Sequence, residues 1–415
     1  MMNSAAAVKS GIDFDEIRKH FPVLHQKIND KPLVYLDNAA SSQMPEIVAD
    51  RIHHYHTREH ANVHRGIHTL SQRATDEFEK TRKLVQQFIN AASSHEVVFT
   101  TGTTDSINLV ANSYGLHNLN AGDEIILSEM EHHANIVPWQ MIAEKTGAEI
   151  KVIPVLDSGD LDMEAYKRLL GKKTKIVAVI HVSNALGTIN PVKEIIDLAH
   201  DAGAVTLIDG AQAIPHLQVD MQKLDADFYA FSAHKMCGPT GFGILYGKKR
   251  LLESMPPYRG GGDMIDKVSF EKTTFNIPPF RFEAGTPPIA AAVGYGSAIE
   301  YLNTVGMRNI EQQENHLVQY GVEKLSDVEG LKIIGNAANR ASVISFIFDH
   351  IHASDLGTIL DKQGVAIRTG HHCAQPILRR FNVPATSRAS IAFYNNEDDI
   401  DRLVDGIHYA KSFFE

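Results

Sequence analysis

Lys235 closes the run Phe231-Ser232-Ala233-His234-Lys235, and upstream the apolar stretch Val205-Thr206-Leu207-Ile208 ends in Asp209-Gly210-Ala211-Gln212. A lysine amine can form a Schiff base with an aldehyde cofactor such as pyridoxal phosphate (PLP). A buried carboxylate keeps the pyridine nitrogen of such a cofactor protonated, so that the ring can act as an electron sink. Taken alone, Lys235 reads as a solvated surface lysine. The strand-end carboxylate Asp209 makes the cofactor reading the stronger one. Gln212, three residues on in the same turn, can face the same ligand and donate to a ring hydroxyl. Asn184, in His181-Val182-Ser183-Asn184-Ala185-Leu186-Gly187-Thr188 after another strand-like run, is placed for a ring hydroxyl or a substrate carboxylate; a plain turn asparagine is the alternative.

Thr101-Gly102-Thr103-Thr104-Asp105-Ser106 follows a strand-like run and opens a helix, where backbone amides and hydroxyls can hold a phosphate. An ordinary N-cap explains the same residues, and only Lys235 tips the reading towards phosphate. Ser232 and His234 can complete such a cup, or simply cap the turn before the lysine. In Glu131-His132-His133-Ala134-Asn135, a histidine at a strand end can stack on a pyridine ring and move protons near neutral pH. A metal reading, also invited by His53, His54, His56, His60, His64 and His68, lacks any recognisable ligand spacing. Far downstream, Arg368-Thr369-Gly370-His371-His372-Cys373 sets a cysteine among polar neighbours in a glycine- and proline-held loop, which favours an exposed nucleophile over an inert core thiol. Cys237, between Met236 and Gly238, reads as packing beside the lysine. Arg388 offers a planar fork to an amino-acid carboxylate, with a surface ion pair as the alternative.

These residues need a scaffold. Between residues 95 and 250, short β-rich runs (Glu96 to Thr100, Glu124 to Leu127, Glu149 to Ile153, Ile176 to Ile180, Val205 to Ile208, Phe228 to Phe231, Gly243 to Tyr246) alternate with helical patterns, which predicts an α/β fold with a largely parallel sheet. Such sheets bind ligands at the carboxyl ends of their strands, where the residues above fall. The Pro/Gly-rich stretch 255–288 reads as irregular loops, and 289–328 as helical. A strand-like run at Ser342 to Phe348 then suggests a smaller α+β unit. We expect a large domain over 30–300 and a small one from 1–29 with 301–415. A net charge of -10, from 40 basic and 50 acidic residues, argues against nucleic acid and anionic membranes as partners. Two cysteines exclude a disulfide framework, and no run has signal-peptide or membrane-span character, so a cytoplasmic location is expected.

Several separated strings together resemble one family: EHHANIVPW at 131–139, HVSNALGT at 181–188, DGAQA at 209–213, FSAHKMCGPTGFGILY at 231–246, RFEAGTP at 281–287 and RTGHHCAQP at 368–376. From about Phe21 onward the chain is similar to the cysteine desulfurases of the SufS type (group II), fold type I PLP-dependent transferases with a seven-stranded sheet. The resemblance implies that Lys235 holds PLP and removes the α-proton, with His132 stacked on the ring and Asp209 and Gln212 in the roles argued above. It implies phosphate contacts from Thr103, Thr104, Ser232 and His234, and from Thr286 of the neighbouring copy in a homodimer. Asn184, Arg368 and Arg388 would hold the substrate L-cysteine. Cys373 would take its sulfur as a persulfide, releasing alanine and feeding a SufE- or SufU-like acceptor for iron–sulfur cluster assembly. Cys237 stands where the family pattern has a larger apolar or aromatic residue. A selenocysteine lyase, or an epimerase- or kynureninase-like relative, is the near alternative. A scaffold without catalysis is disfavoured because Lys235 and Asp209 are both present, and a cysteine hydrolase because His371 and His372 share one loop with Cys373.

Overall fold

A computed structural model describes residues 12–414; the start of the chain, where the sequence lacks a signal-peptide core, lies outside them. A seven-stranded sheet forms the centre, in the order Val97–Thr100, Gly243–Gly247, Phe228–Ser232, Val205–Asp209, Thr174–Ile180, Glu124–Ser128, Glu149–Ile153. All neighbours run parallel except Gly243–Gly247, which is antiparallel to both of its partners. The sheet is therefore mostly parallel, as expected.

Successive side chains of a strand point to opposite faces, and here each face meets its own apolar core. Val97, Phe99, Val177, Val179, Ile208, Tyr229, Phe231 and Ile244 pack on one side. Val98, Ile125, Leu127, Ile176, Ala178, Leu207, Ala230 and Leu245 pack on the other. Burial on both faces explains why these strands read as continuous apolar runs.

One stretch differs from the sequence expectation, and a second, helical as expected, is divided in two. The 255–288 region contains a hairpin, Ile265–Val268 with Thr273–Phe275, whose residues are half-buried or exposed and so carry no core-facing alternation to read. The helical stretch from 289 breaks at Gly306, where φ is +84°, into Ile289–Val305 and Met307–Ser326. The second helix turns away to cover a four-stranded antiparallel sheet, ordered Leu331–Ile334, Val343–Phe348, Thr386–Ser390, Arg368–Gly370. Val34 and Leu36 join the core beneath this smaller sheet, and Val34–Tyr35 pairs in parallel with Val365–Ala366. Early chain is thereby brought against late chain beside the central sheet.

Candidate active site

Asp209 is the last residue of its strand, 2 % exposed, and its Oδ1 accepts the Ala211 N–H at 3.0 Å. Burial raises its proton affinity, opposed by that N–H and by Lys235. A carboxylate in this position gains from a cationic partner. Lys235 ends the 3₁₀ turn Ala233–Lys235 that leaves the neighbouring strand Phe228–Ser232. Burial pushes its amine down to about 8, with Asp209 pulling the other way. An amine that loses its proton near neutrality is a competent nucleophile towards an aldehyde. The turn is clamped from behind: Ser41 and Ser42 donate their hydroxyls to the His234 carbonyl at 3.1 and 3.2 Å, and the Cys237 N–H donates to Ser42 Oγ at 2.7 Å. Cys237 is buried, which pushes its thiol up to about 12 and leaves it inert.

On the opposite strand pair, helix Thr103–Val110 opens at Gly102. Ser232 Oγ lies 2.8 Å from the Thr103 amide and 2.7 Å from its hydroxyl, so three polar groups converge at the helix start. The loop can come this close because Gly243 lacks a side chain: a Cβ there would sit 2.3 Å from Gly102 Cα. His234, half-buried, is held neutral by burial and by Lys235, its imidazole falling to about 4. Together these form an anion cradle at a helix N-terminus.

His132 precedes the turn His133–Asn135 and accepts the Ala134 N–H on Nδ1 at 3.0 Å, which leaves Nε2 to carry the ring proton. Burial, then the charge of Lys235, brings it down to about 4. Beneath it lies Glu131, which the sequence reading passed over. Fully buried, it accepts the Ile180 N–H at 2.9 Å and the Asn135 side-chain amide at 2.7 Å, and it contacts Ser128 Oγ. Burial pushes this carboxyl up to about 8. Glu131 thus pins the His132 turn to the strand beside Asp209, whose register partner is Ile180. The apolar-bounded string EHHAN was visible, but nothing in it shows that the acid is the buried member.

The cysteine loop crosses this same corner. His372 and Cys373 both take φ of +54°, a costly conformation for consecutive non-glycine residues. The loop is held there by the His133 N–H on the Cys373 carbonyl (2.7 Å) and by the Asn184 amide on the His372 carbonyl (2.6 Å). Gln375 N–H on His133 Nε2 (3.1 Å) and His372 Nε2 against Thr386 Oγ1 (2.7 Å) complete the anchoring. Cys373 remains exposed. Arg388 is 2 % exposed and donates to the Asn184 carbonyl at 2.9 Å and to Asp37 at 3.1 Å. Burial brings its guanidinium down to about 10, opposed by Asp37. Arg368 donates to both Asp37 oxygens at 3.2 Å. Asp37 was not singled out in the sequence, since no local pattern ties it to arginines more than 300 residues away.

One cavity of about 230 Å³ is lined by Thr103, Thr104, His132, Asn184, Asp209, Gln212, Ser232, His234, Lys235, Arg368, Cys373 and Arg388. Gln212 spends one amide N–H on the Ala39 carbonyl at 2.6 Å, leaving the other for a ligand. Thr286 is not among the lining residues; it is exposed on its loop within this chain. No group of three or more metal-ligating side chains exists among the described residues, the histidines of 53–68 included. Asn184 Oδ1 and Arg388 Nε are buried without hydrogen-bond partners, the mark of a site built to receive polar groups. An anion cradle, a deprotonatable lysine and a buried carboxylate around one cavity fit PLP.

The chain is 50% identical over 399 residues to a probable cysteine desulfurase of Halalkalibacterium halodurans, covering 96% of this chain and 98% of that one. It is 52% identical over 394 residues to a cysteine desulfurase of Shigella sonnei, covering 95% and 97%. Among solved structures, the S-sulfonic acid form of the cysteine desulfurase CsdA from Escherichia coli matches with a TM-score of 0.91 and 38% identity, covering 98% of this chain and all of that one. The apo cysteine desulfurase of Thermococcus onnurineus NA1 matches with the same TM-score and identity, over 96% and 98%. With its profile matched over residues 34–403, the chain belongs to the aminotransferase class-V family.

Proposed function

We propose that the chain is a PLP-dependent cysteine desulfurase that converts L-cysteine to L-alanine and carries the sulfur away on Cys373. The observation that carries this reading is Cys373, exposed on a strained loop at the mouth of the cavity that also holds Lys235 and Asp209. The bound cofactor supplies an electron sink at the substrate α-carbon. Thr103, Thr104, Ser232 and His234 would hold its phosphate, Asp209 its ring nitrogen, and His132 its ring face. Lys235, released by the incoming substrate, moves the α-proton; its depressed proton affinity suits it to take and return one near neutrality. Arg388 and Asn184 orient the substrate carboxylate. Cys373, as thiolate, forms a bond to the substrate sulfur while the carbon–sulfur bond breaks, and the carbon keeps the electron pair and is protonated to alanine. Cys373 is left as a persulfide.

The finer readings follow from the same chemistry. A persulfide on an exposed loop suits transfer to an acceptor, which we take to be a SufE- or SufU-like protein serving iron–sulfur cluster assembly. Thr286, exposed here, would complete a neighbouring phosphate site in a homodimer. No helix among the described residues is long and apolar enough to cross a membrane; with two cysteines in the chain, we place the protein in the cytoplasm.

Purified protein given L-cysteine and a reductant is expected to be yellow and to release alanine and sulfide in equal amounts. Cys373→Ala is expected to keep the colour and lose sulfide release. Retained turnover in Cys373→Ala would overturn the assignment. A yellow protein that is inert to L-cysteine but active on selenocysteine would move it to the lyase alternative.

A further inference from the structure

We propose that Asp37 sets the charge of the carboxylate-binding corner and thereby restricts the site to amino acids bearing a single carboxylate. This inference rests on the amino-acid substrate proposed above. Arg388 and Arg368 converge on the one Asp37 carboxylate, Arg388 at 3.1 Å and Arg368 at 3.2 Å to each oxygen. Two guanidiniums and one carboxylate leave a single positive charge for a ligand. Arg388 lines the cavity, and its buried Nε–H has no hydrogen-bond partner.

Of the other titratable groups lining this cavity, Lys235 faces the opposing charge of Asp209, and the histidines add no charge. His132 and His372 are both neutral at pH 7, driven to about 4 and about 3, chiefly by burial. A substrate α-carboxylate therefore neutralises the corner, and a second carboxylate on the side chain would enter without a free cation and pay its desolvation unrewarded.

Asp37 is rigidly presented. Its backbone bridges Ser390 on the strand that carries Arg388, and the Ala39 N–H donates to Ser390 Oγ at 2.9 Å. Arg368 lies on the strand next to it. Asp37 thus acts through the arginines as a positioning residue.

The test uses the PLP-loaded protein, titrated with L-alanine and with L-aspartate while the change in cofactor absorption is followed. The wild type is expected to favour L-alanine. Asp37→Asn should shift the ratio of the two dissociation constants at least about tenfold towards L-aspartate, because an unneutralised guanidinium now faces the ligand. Asp37→Asn combined with Arg368→Gln restores the net charge and should return the ratio towards that of the wild type, which a merely structural role for Asp37 would not do. An unchanged ratio in Asp37→Asn, or no recovery in the double variant, overturns the proposal. Should Asp37→Asn fail to fold, Arg368→Gln alone must weaken L-aspartate more than L-alanine, and an equal effect overturns it. If neither amino acid perturbs the wild-type spectrum, the substrate reading itself is what fails.

Discussion

Arg82 offers a perturbation whose size the structure sets. Its guanidinium is 2 % exposed, paired with both oxygens of Glu283 at 2.6 and 2.9 Å and with Glu79 at 2.9 Å, and it donates to the Val97 carbonyl at 2.9 Å. Its plane lies 4.1 Å from the Phe99 ring centroid. Glu283, its side chain 8 % exposed, accepts the Phe99 N–H at 2.8 Å, so the pair fastens the loop carrying Thr286 to the edge strand of the central sheet. Replacing Arg82 with methionine keeps much of the packing but strands the Glu283 charge. Breaking one side of a buried pair costs about 3–5 kcal/mol, whereas removing both charges together costs much less. Chemical denaturation of Arg82→Met, Glu283→Leu and the double variant measures this directly. Arg82→Met is expected to lose about 3–5 kcal/mol and the double variant clearly less than the sum of the singles. A loss below about 1 kcal/mol in Arg82→Met, the size of an exposed pair, or strict additivity in the double variant, would refute the argument that the pair is a desolvated clamp.

The role proposed for Lys235 requires that, in the apo-protein, it lose its proton before it captures PLP. The rate of capture is therefore expected to climb up to a pH of about 8 and then level off; a rate still rising towards about 10.4, the ordinary lysine value, would contradict the buried-amine account. Ser232→Ala removes the oxygen shared by the Thr103 amide and hydroxyl. Cofactor affinity measured by fluorescence titration should fall about five- to tenfold, equivalent to about 1 kcal/mol, and an unchanged affinity would take Ser232 out of the cradle. Gly243→Ala forces a Cβ to within 2.3 Å of Gly102 Cα, so thermal unfolding should come earlier and PLP binding should weaken; a wild-type melting curve would show that the two backbones can part freely.

The central sheet was legible because its strands, apart from the edge strand Glu149–Ile153, are apolar runs of the right length, and the residues that end those runs lie at the carboxyl edge, where ligands gather. Lys235 could be picked out only in company with Asp209, the carboxylate that ends a strand upstream. Asp37 could not, because its meaning lies in pairing with Arg388, 351 residues away. Glu131 looked like one of several acids near two histidines; its burial depends on Ile180 and Asn135, which only folding brings to it. The hairpin at 265–275 escaped notice because its side chains face outward, where no alternation is enforced. The break at Gly306 escaped because apolar residues continue at helical spacing on both sides, and a glycine inside such a pattern is only weak punctuation.

The meeting of early and late chain at Asp37 and Arg388 also sets an order of events on the ribosome. The cradle, Asp209 and Lys235 all fall within 97–247, a stretch that forms its own sheet and is translated well before Arg368, Cys373 and Arg388. Contacts between such distant segments form late, since their loop-closure cost is met only after nearer contacts are made. A nascent chain can therefore assemble the proposed PLP cradle while it still lacks the proposed sulfur-accepting thiol and carboxylate clamp, so on this reading desulfuration waits until Arg388 has been translated and folded.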